Sequence, residues 1–423
     1  MIVVVRSEKK FVARYRLGCD GSMEVDQLPL SDARTTIRRL SGHPSTGSQA
    51  PCALVERRFF PAFGLTLPFL MAKRAAQQPL PGTTDRRIAA LLNLLAENAT
   101  IVVSGARIAR EIGVSRSTVW RWVNRLRELG VRVKGEQHTG YFLEKTPDIL
   151  TPDTLRQRLK GSIFGKRIHH FFKVDSTNRV AMDLGHADEP EGTVVIAEEQ
   201  TAGRGRAGHS WHSERATGIY VTVLLRPKIS PVQASLLTMM AGLSAFSSIR
   251  AQSDLEPDLK WPNDILIGGK KLGGILTEMH AEPNQVRFVI VGIGINVNQE
   301  KFPAELSAIA TSLRAETGRP QSRLELVVRL LRQFETDYNQ FIASGPESVI
   351  RNFETVSSFT RGERVRVTNG PESYAGVTDG LSPEGFLRVR RDGSGTSVSV
   401  IAGDVTLDRA IVARAKKQSS ENK

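Results

Sequence analysis

The stretch "SGARIAREIGVSRSTVWRWVNRLRELG", residues 104–130, leaves few folds open to the chain around it. Its apolar residues return every three or four positions, break at Gly113-Val114, and resume behind Ser115, a residue type that caps helix N-termini. The pattern predicts a short helix, a turn, and a second helix carrying Val119, Trp122, Val123, Leu126 and Leu129 on one side. Upstream, "TDRRIAALLNLLAENA" places Ile88, Leu91, Leu92 and Leu95 on one face of another helix. Downstream, "VRVKGEQHTGYFLEK" reads as two short strands around a glycine-bounded turn. Helices and hairpin in this order spell a winged helix-turn-helix over residues 84–146.

The other side of the second helix presents Ser117, Trp120, Arg121, Asn124 and Arg125. In a helix-turn-helix these positions meet the major groove, where Arg and Asn read base edges. A solvated face on a protein-binding module offers similar residues, and charge weighs for DNA. The chain carries +14, with 12 basic against 6 acidic residues in 1–80 and 11 against 7 in 81–150, while 151–345 hold 23 against 21. A basic N-terminal end suits a polyanion, so Ser117, Arg121, Asn124 and Arg125 are the DNA-binding candidates.

Both cysteines, Cys19 and Cys52, lie in the first 80 residues, which excludes thiolate catalysis, thiolate zinc and disulfides from the rest. No HExxH pattern occurs and no metal ligands stand out. "IVVV" precedes "RSEKK", the reverse of a secretory leader, and no apolar run reaches the roughly 18 residues of a membrane helix. A cytoplasmic protein without a membrane partner is expected. Residues 1–80 show no sustained period and are an unassigned N-terminal extension. Met71 with "AKRAAQQPLPGTT" reads like the start and flexible lead of a first domain.

Residues 155–345 alternate β-rich runs with a strong helical pattern, "SPVQASLLTMMAGLSAFSSIRA", which predicts an α+β domain on a mixed sheet. After the helical "RLELVVRLLRQFETDYNQFIASG", residues 358–412 give short strands ("ERVRVT", "GFLRVRR", "SVSVIAGDVTL") that predict a small β-barrel.

The middle domain contains "EEQTAGRGRAGHSW", whose Gly203-x-Gly205-x-x-Gly208 satisfies a dinucleotide fingerprint. That fingerprint needs a helix on its third glycine, and a polar loop with a β-rich run, Ile219 to Leu225, follows instead. The loop is therefore read through Arg204 and Arg206, planar forks that match carboxylate or phosphate. A basic surface loop would look the same in isolation. No P-loop occurs. "DSTN" (Asp175–Asn178) offers two hydroxyls and an amide to a polar uncharged group, and "KWPND" holds Lys260 beside bulky Trp261 and Pro262, where it can neutralise charge growing on oxygen. "GGILTE" (Gly273–Glu278) and "GIGINVN" (Gly292–Asn298) set glycines in strands, where a ligand can lie flat on the sheet or strands can pack closely.

Together and in this order the motifs resemble those of biotin protein ligases, and with the winged helix in front the chain is similar to the bifunctional bacterial form that also represses the biotin operon. The resemblance spans residues 84–410. It implies a central domain of the biotin/lipoate ligase superfamily, a C-terminal SH3-like barrel, and a two-step reaction. Biotin's carboxylate attacks the α-phosphate of MgATP to give biotinoyl-5'-AMP, and a lysine of a biotin carboxyl carrier domain then displaces AMP. Biotinoyl-5'-AMP would also act as co-repressor of a homodimer on operator DNA. Neither step needs a protein nucleophile.

Carried over by position, Ser176, Thr177, Asn178 and Gln200 would hold biotin's ureido end. Arg204, Gly205 and Arg206 would close over carboxylate and α-phosphate, and Lys260 would contact both. Gly203, Arg206, Trp211, Asn263 and Gly274 would face ATP or the adenylate, making Lys260, Arg204 and Arg206 the catalytic set. Ala207 departs from the basic residue of the bifunctional form, which bears on how ligand binding couples to dimerisation. A lipoate-type ligase and a biotin-sensing transcription factor without ligase activity are the other classes compatible with parts of this pattern.

Overall fold

The computed structural model describes residues 5–6, 11–17, 23–29, 83–98, 101–128, 131–136, 138–144, 148–282, 285–369, 372–401 and 404–407. The chain divides into two compact units, Met1–Arg74 and Ala75–Lys423. In the first, where no fold was expected, three strands pair antiparallel in the order β1 (Val5–Arg6), β2 (Phe11–Leu17), β3 (Met23–Pro29). The lead that follows Met71 lies outside the described residues.

The second unit opens with helices Thr83–Glu97, Gly105–Ile112 and Arg116–Glu128 and the hairpin of β4 (Val133–Glu136) and β5 (Gly140–Leu143). Ser104 and Ser115 accept the backbone N–H of Arg107 and Thr118, each at 3.2 Å, and so define where the second and third helices begin. Gly113, at φ +74°, ends the second helix with its N–H on Ala109 O. Ile88, Leu91, Leu92, Leu95, Val119, Val123 and Leu126 are all 3% exposed or less and form one core with the hairpin. Leu129, assigned to that face, lies outside the described residues. Arg127 pins the wing: its Nε donates to Val133 O at 3.0 Å and its Nη2 to Gly135 O at 2.6 Å.

The central domain is built on a seven-stranded mixed sheet, in the order β6 (Arg167–Phe171), β7 (Thr193–Ala197), β8 (Gly218–Leu225), β12 (Gln285–Asn296), β11 (Lys270–Glu282), β10 (Asp264–Ile267), β9 (Asp258–Lys260). β6 and β7 run parallel and every other pair antiparallel. Helix Leu236–Ser253 has 13 of its 18 residues buried, so it is apolar around its whole girth rather than along one stripe. Pro231–Ser253 alone among the described helices has the length and apolarity of a membrane span, and burial in the core explains both. Helix Thr177–His186 packs against β7, β8 and β12 through Val180, Ala181 and Leu184.

The winged helix is docked on this domain. Phe172 joins its core at 6% exposure. Asn93 Nδ2 donates to Asp153 Oδ2 at 3.0 Å, and Arg215 Nη1 to Glu128 O, at the end of the third helix, also at 3.0 Å. The connecting segment is clamped as well. Arg323, fully buried, donates to the Asp148 carbonyl and, at 2.7 Å, to Glu198 Oε2, while Leu150 N donates to Glu198 Oε1 at 2.8 Å.

C-terminal to helices Arg323–Ser344 and Glu347–Val356, a five-stranded antiparallel sheet runs in the order β16 (Ser397–Val400), β15 (Leu387–Arg391), β14 (Glu372–Leu381), β13 (Arg361–Asn369), β17 (Asp404–Leu407). "SVSVIAGDVTL" supplies two of these strands instead of one, and β14 is a strand the residue pattern did not suggest. Trp261 Nε1 donates to Gly385 O at 2.9 Å across the junction between this sheet and the central domain.

Candidate active site

Strand register builds the floor of the site. Lys260 pairs with Asp264, Asp264 with Gly274, Gly274 with Gly294, and Gly294 with Tyr220, so these residues form one row across five strands on one face of the sheet. The next row sets Leu276 beside Gly292 and Gly292 beside Thr222. Over these rows opens a cavity of about 550 Å³.

The glycines of the floor are occupied from above. A Cβ on Gly294 would lie 2.7 Å from the Trp211 indole, and one on Gly292 would lie 1.9 Å from Asn178 Oδ1. Trp211 therefore lies on bare backbone, and its Nε1 is buried without an acceptor among the described residues.

One end of the cavity is polar and uncharged. Ser176 stands at the N-cap of helix Thr177–His186, yet its hydroxyl makes no capping bond. Asp175 stabilises the turn by accepting Ser176 N at 2.6 Å and pairing with Arg179. Burial pushes the Asp175 carboxyl up, but the Arg179 and backbone hydrogen bonds outweigh it and hold it below the usual range. Thr177 donates its N–H and hydroxyl to Gln200 Oε1 at 2.8 and 3.0 Å, and Gln200 Nε2 donates to Ser213 Oγ at 2.9 Å. Asn178 also lines the cavity, but both Nδ2 hydrogens are engaged, with Leu276 O at 3.1 Å and Glu278 Oε2 at 2.8 Å, and Oδ1 accepts from Thr222 Oγ1 at 2.7 Å.

The other end is cationic. Residues 203–211 form a tight hairpin, with Gly205 N on His209 O at 2.7 Å and Trp211 N on Gly203 O at 2.9 Å. Arg206–Gly208 makes one 3-10 turn and no α-helix starts there, as expected for a loop that is not a dinucleotide turn. Arg204, Gly205 and Arg206 line the cavity, and Arg206 Nη1 donates to Asn263 Oδ1 at 3.1 Å. Ala207 takes φ +52°, the left-handed region that a Cβ disfavours. Lys271 lines the cavity too, 2.6 Å from Asp264 and 5.7 Å from the centroid of the Trp211 ring.

Ser176, Thr177, Asn178, Gln200, Arg204, Gly205, Arg206, Trp211, Asn263 and Gly274 thus converge on one cavity. Gly203 and Lys260 do not line it. Gly203 is buried at the hairpin base, with its carbonyl on Trp211 N. Lys260 shares the cavity's face but sits on the edge strand, two strands from Gly274, about 10 Å away at the usual strand spacing. The β10–β11 hairpin instead brings Lys271 to the Trp211 ring and the Asp264 carboxylate. Its only sequence signal is the pair of lysines before "LGGILTE". Among the described residues no cluster of three or more His, Cys, Asp or Glu could hold a metal.

A mixed sheet with a glycine floor, a polar uncharged end and an arginine-lysine end, behind a winged helix-turn-helix, defines a class: a ligand-activating domain fused to a DNA-binding module. Residues 171–296 match the Biotin/lipoate A/B protein ligase family, and residues 87–142 match an HTH domain. The chain is 38% identical over 300 residues to the bifunctional ligase/repressor BirA of Bacillus spizizenii, covering 70% of this chain and 92% of that protein. It is 38% identical over 260 residues to the biotin–[acetyl-CoA-carboxylase] ligase of Mycobacterium tuberculosis, covering 60% and 93%. Among solved structures, the biotin protein ligase from Aquifex aeolicus in complex with biotin and ATP superposes with a TM-score of 0.50 at 30% identity, over 57% of this chain and 98% of that one. The chain belongs to the biotin protein ligase family, in its bifunctional ligase/repressor form.

Proposed function

We propose that the protein joins biotin to ATP, forming biotinoyl-5'-AMP and pyrophosphate, and transfers the biotinoyl group to a lysine of a biotin carboxyl carrier domain. The observation that carries this is the cavity's polarity: Ser176, Thr177 and Gln200 at one end suit a ureido ring, while Arg204, Arg206 and Lys271 at the other suit a carboxylate against a phosphate. Asn178 holds the Ser176–Thr177 turn on the sheet. Trp211, Asn263 and Gly274 form the adenylate side, and Thr368 of β13 reaches the same cavity.

Chemistry follows from positioning. The carboxylate attacks phosphorus while the cations offset charge gathering on the non-bridging oxygens, and the carrier's amine later attacks the acyl carbon and expels AMP. Lys271, rather than Lys260, takes the electrostatic role. Magnesium would come with ATP, held mainly by the phosphates; Asp264, the cavity-lining carboxylate that pairs with Lys271, would face it, and the ion would further neutralise phosphate charge. The Arg204–Arg206 hairpin covers the mixed anhydride until the carrier docks.

Residues 84–146 would form the DNA-binding domain, 155–345 the ligase domain and 358–412 an SH3-like barrel, in a cytoplasmic protein. Ser117, Arg121 and Arg125, exposed on the helix Arg116–Glu128, with half-buried Asn124 beside them, would meet operator DNA, bound by an adenylate-loaded homodimer. Incubation with biotin, MgATP and a carrier domain, followed by detection of biotinylated carrier, tests the reading. A carrier labelled by lipoate and not biotin, or tight biotin binding without any labelling, would overturn it.

A further inference from the structure

Glu278 belongs to none of the roles above and does not line the cavity. It sits on β11, opposite Ile290 of β12, four residues beyond Gly274. One oxygen of its carboxylate, Oε2, accepts from Asn178 Nδ2 at 2.8 Å and from Arg204 Nη2 at 3.3 Å. Those donors are the last residue of the turn under the polar end and the first arginine of the covering hairpin. They lie 26 residues apart and meet at this one atom.

The two contacts differ in character. Asn178 is 4% exposed, and its remaining polar bonds, to Leu276 O and Thr222 Oγ1, hold its amide rigid on the sheet. The Arg204 side chain is 45% exposed and rides on a loop, so it is the partner free to leave. An ion pair between two mobile surface groups contributes little, because ordering both side chains offsets the attraction. Here the acidic partner is already oriented by the buried amide, which removes half of that entropic cost.

Resting on the ligase reading, we infer that Glu278 is a positioning residue that latches the 203–211 hairpin over the cavity through Arg204, with Asn178 holding the latch in register. The latch governs how long the adenylate is retained and leaves recognition of the ureido end to Ser176, Thr177 and Gln200.

Glu278→Gln keeps shape and still accepts from Asn178, but loses the charge that holds Arg204. In the ligand-free protein, tryptic cleavage after Arg204 and Arg206 should quicken in E278Q by about fivefold. In the loaded protein, dissociation of a non-hydrolysable biotinoyl-adenylate analogue, followed by Trp fluorescence, should quicken by a similar factor while the KM for biotin stays within about twofold. Glu278→Ala should raise the biotin KM as well, because Asn178 loses its anchor. In an R204A background E278Q should add nothing to the dissociation rate, whereas a merely structural role would act additively. Unchanged proteolysis and unchanged analogue dissociation in E278Q, or additive effects with R204A, overturn the latch. Faster proteolysis in E278Q with no analogue binding by the wild type leaves the latch standing and overturns the ligase reading.

Discussion

The Lys271 ammonium lies 2.6 Å from the Asp264 carboxylate and over the Trp211 ring, inside the cavity, whereas Lys260 lies along the same row on the edge strand. Charge that builds on phosphate oxygens is stabilised most by a cation already in place. Lys271→Ala is therefore expected to slow ATP–pyrophosphate exchange by about 10²–10³, with the fold intact. Lys260→Ala should cost less. Equal losses, or a larger loss at Lys260, would return the electrostatic role to the edge strand.

Gly294→Ala tests the floor. Its Cβ would sit 2.7 Å from the Trp211 indole, so the ring must lift or the strand must shift. Overpacking of this kind costs about 1–3 kcal/mol, about five- to 150-fold in adenylate affinity. Calorimetric titration with the adenylate analogue, alongside thermal unfolding, separates loss of the site from loss of the fold. Wild-type affinity in G294A would show that Trp211 does not need bare backbone beneath it.

A third prediction concerns acid. Burial pushes the Glu198 carboxyl up, but Arg323, His170 and the Leu150 N–H outweigh it and hold the group down to about 2. A carboxyl lower in the folded than in the unfolded chain adds stability that is complete above the unfolded value of 4.5 and is lost as pH falls through the folded value of about 2. Glu198→Gln removes the buried one of Arg323's two carboxylate partners and leaves Asp148 Oδ2 at 3.2 Å, a loss of about 3 kcal/mol near neutral pH, the low end for breaking a buried ion pair. The gap in unfolding free energy between wild type and E198Q should narrow from about pH 5 towards pH 2. A gap that stays constant across that range rules out the ionised pair as its source.

For the winged helix, Arg121→Ala and Arg125→Ala should each weaken operator binding, by about 1–3 kcal/mol where a base is read or with a reduced salt dependence where a phosphate is met. Ligase activity should be unchanged in both. Binding that is insensitive to salt would remove DNA as the partner of this face.

Much of this architecture is legible in the residues because local periodicity and burial coincide. Ile88, Leu91, Leu92 and Leu95 share a helical face and all are buried, and Ser115 caps as its position suggests. What escaped depends on register or on distant pairing. Lys260 and Lys271 each stand beside a conspicuous motif, and only the alignment of β9, β10 and β11 tells that Lys271 lines the cavity while Lys260 sits on the edge strand. β14 carries Gly376 and Gly380, which weaken any strand pattern, yet a Cβ at Gly376 would lie 2.5 Å from Arg390 O, so close pairing explains one of them. Asn178 reads as a ligand contact and does line the cavity, but no local pattern foretells that its amide is also engaged on both sides. The bond between Arg323 and Glu198 spans 125 residues and has no local signature.

The docking of the winged helix through Phe172, Arg215 and the clamped segment at Asp148 bears on heredity. Removing the module would bare Phe172 and strip Arg215 of its carbonyl, so the enzyme would lose part of its own support along with its DNA reader. Changes at the module's outward arginines should leave that support intact. Conversely, a core substitution such as Leu92→Ala, far from any substrate, should lower the cell's content of active ligase and its repression together, two traits inherited as one.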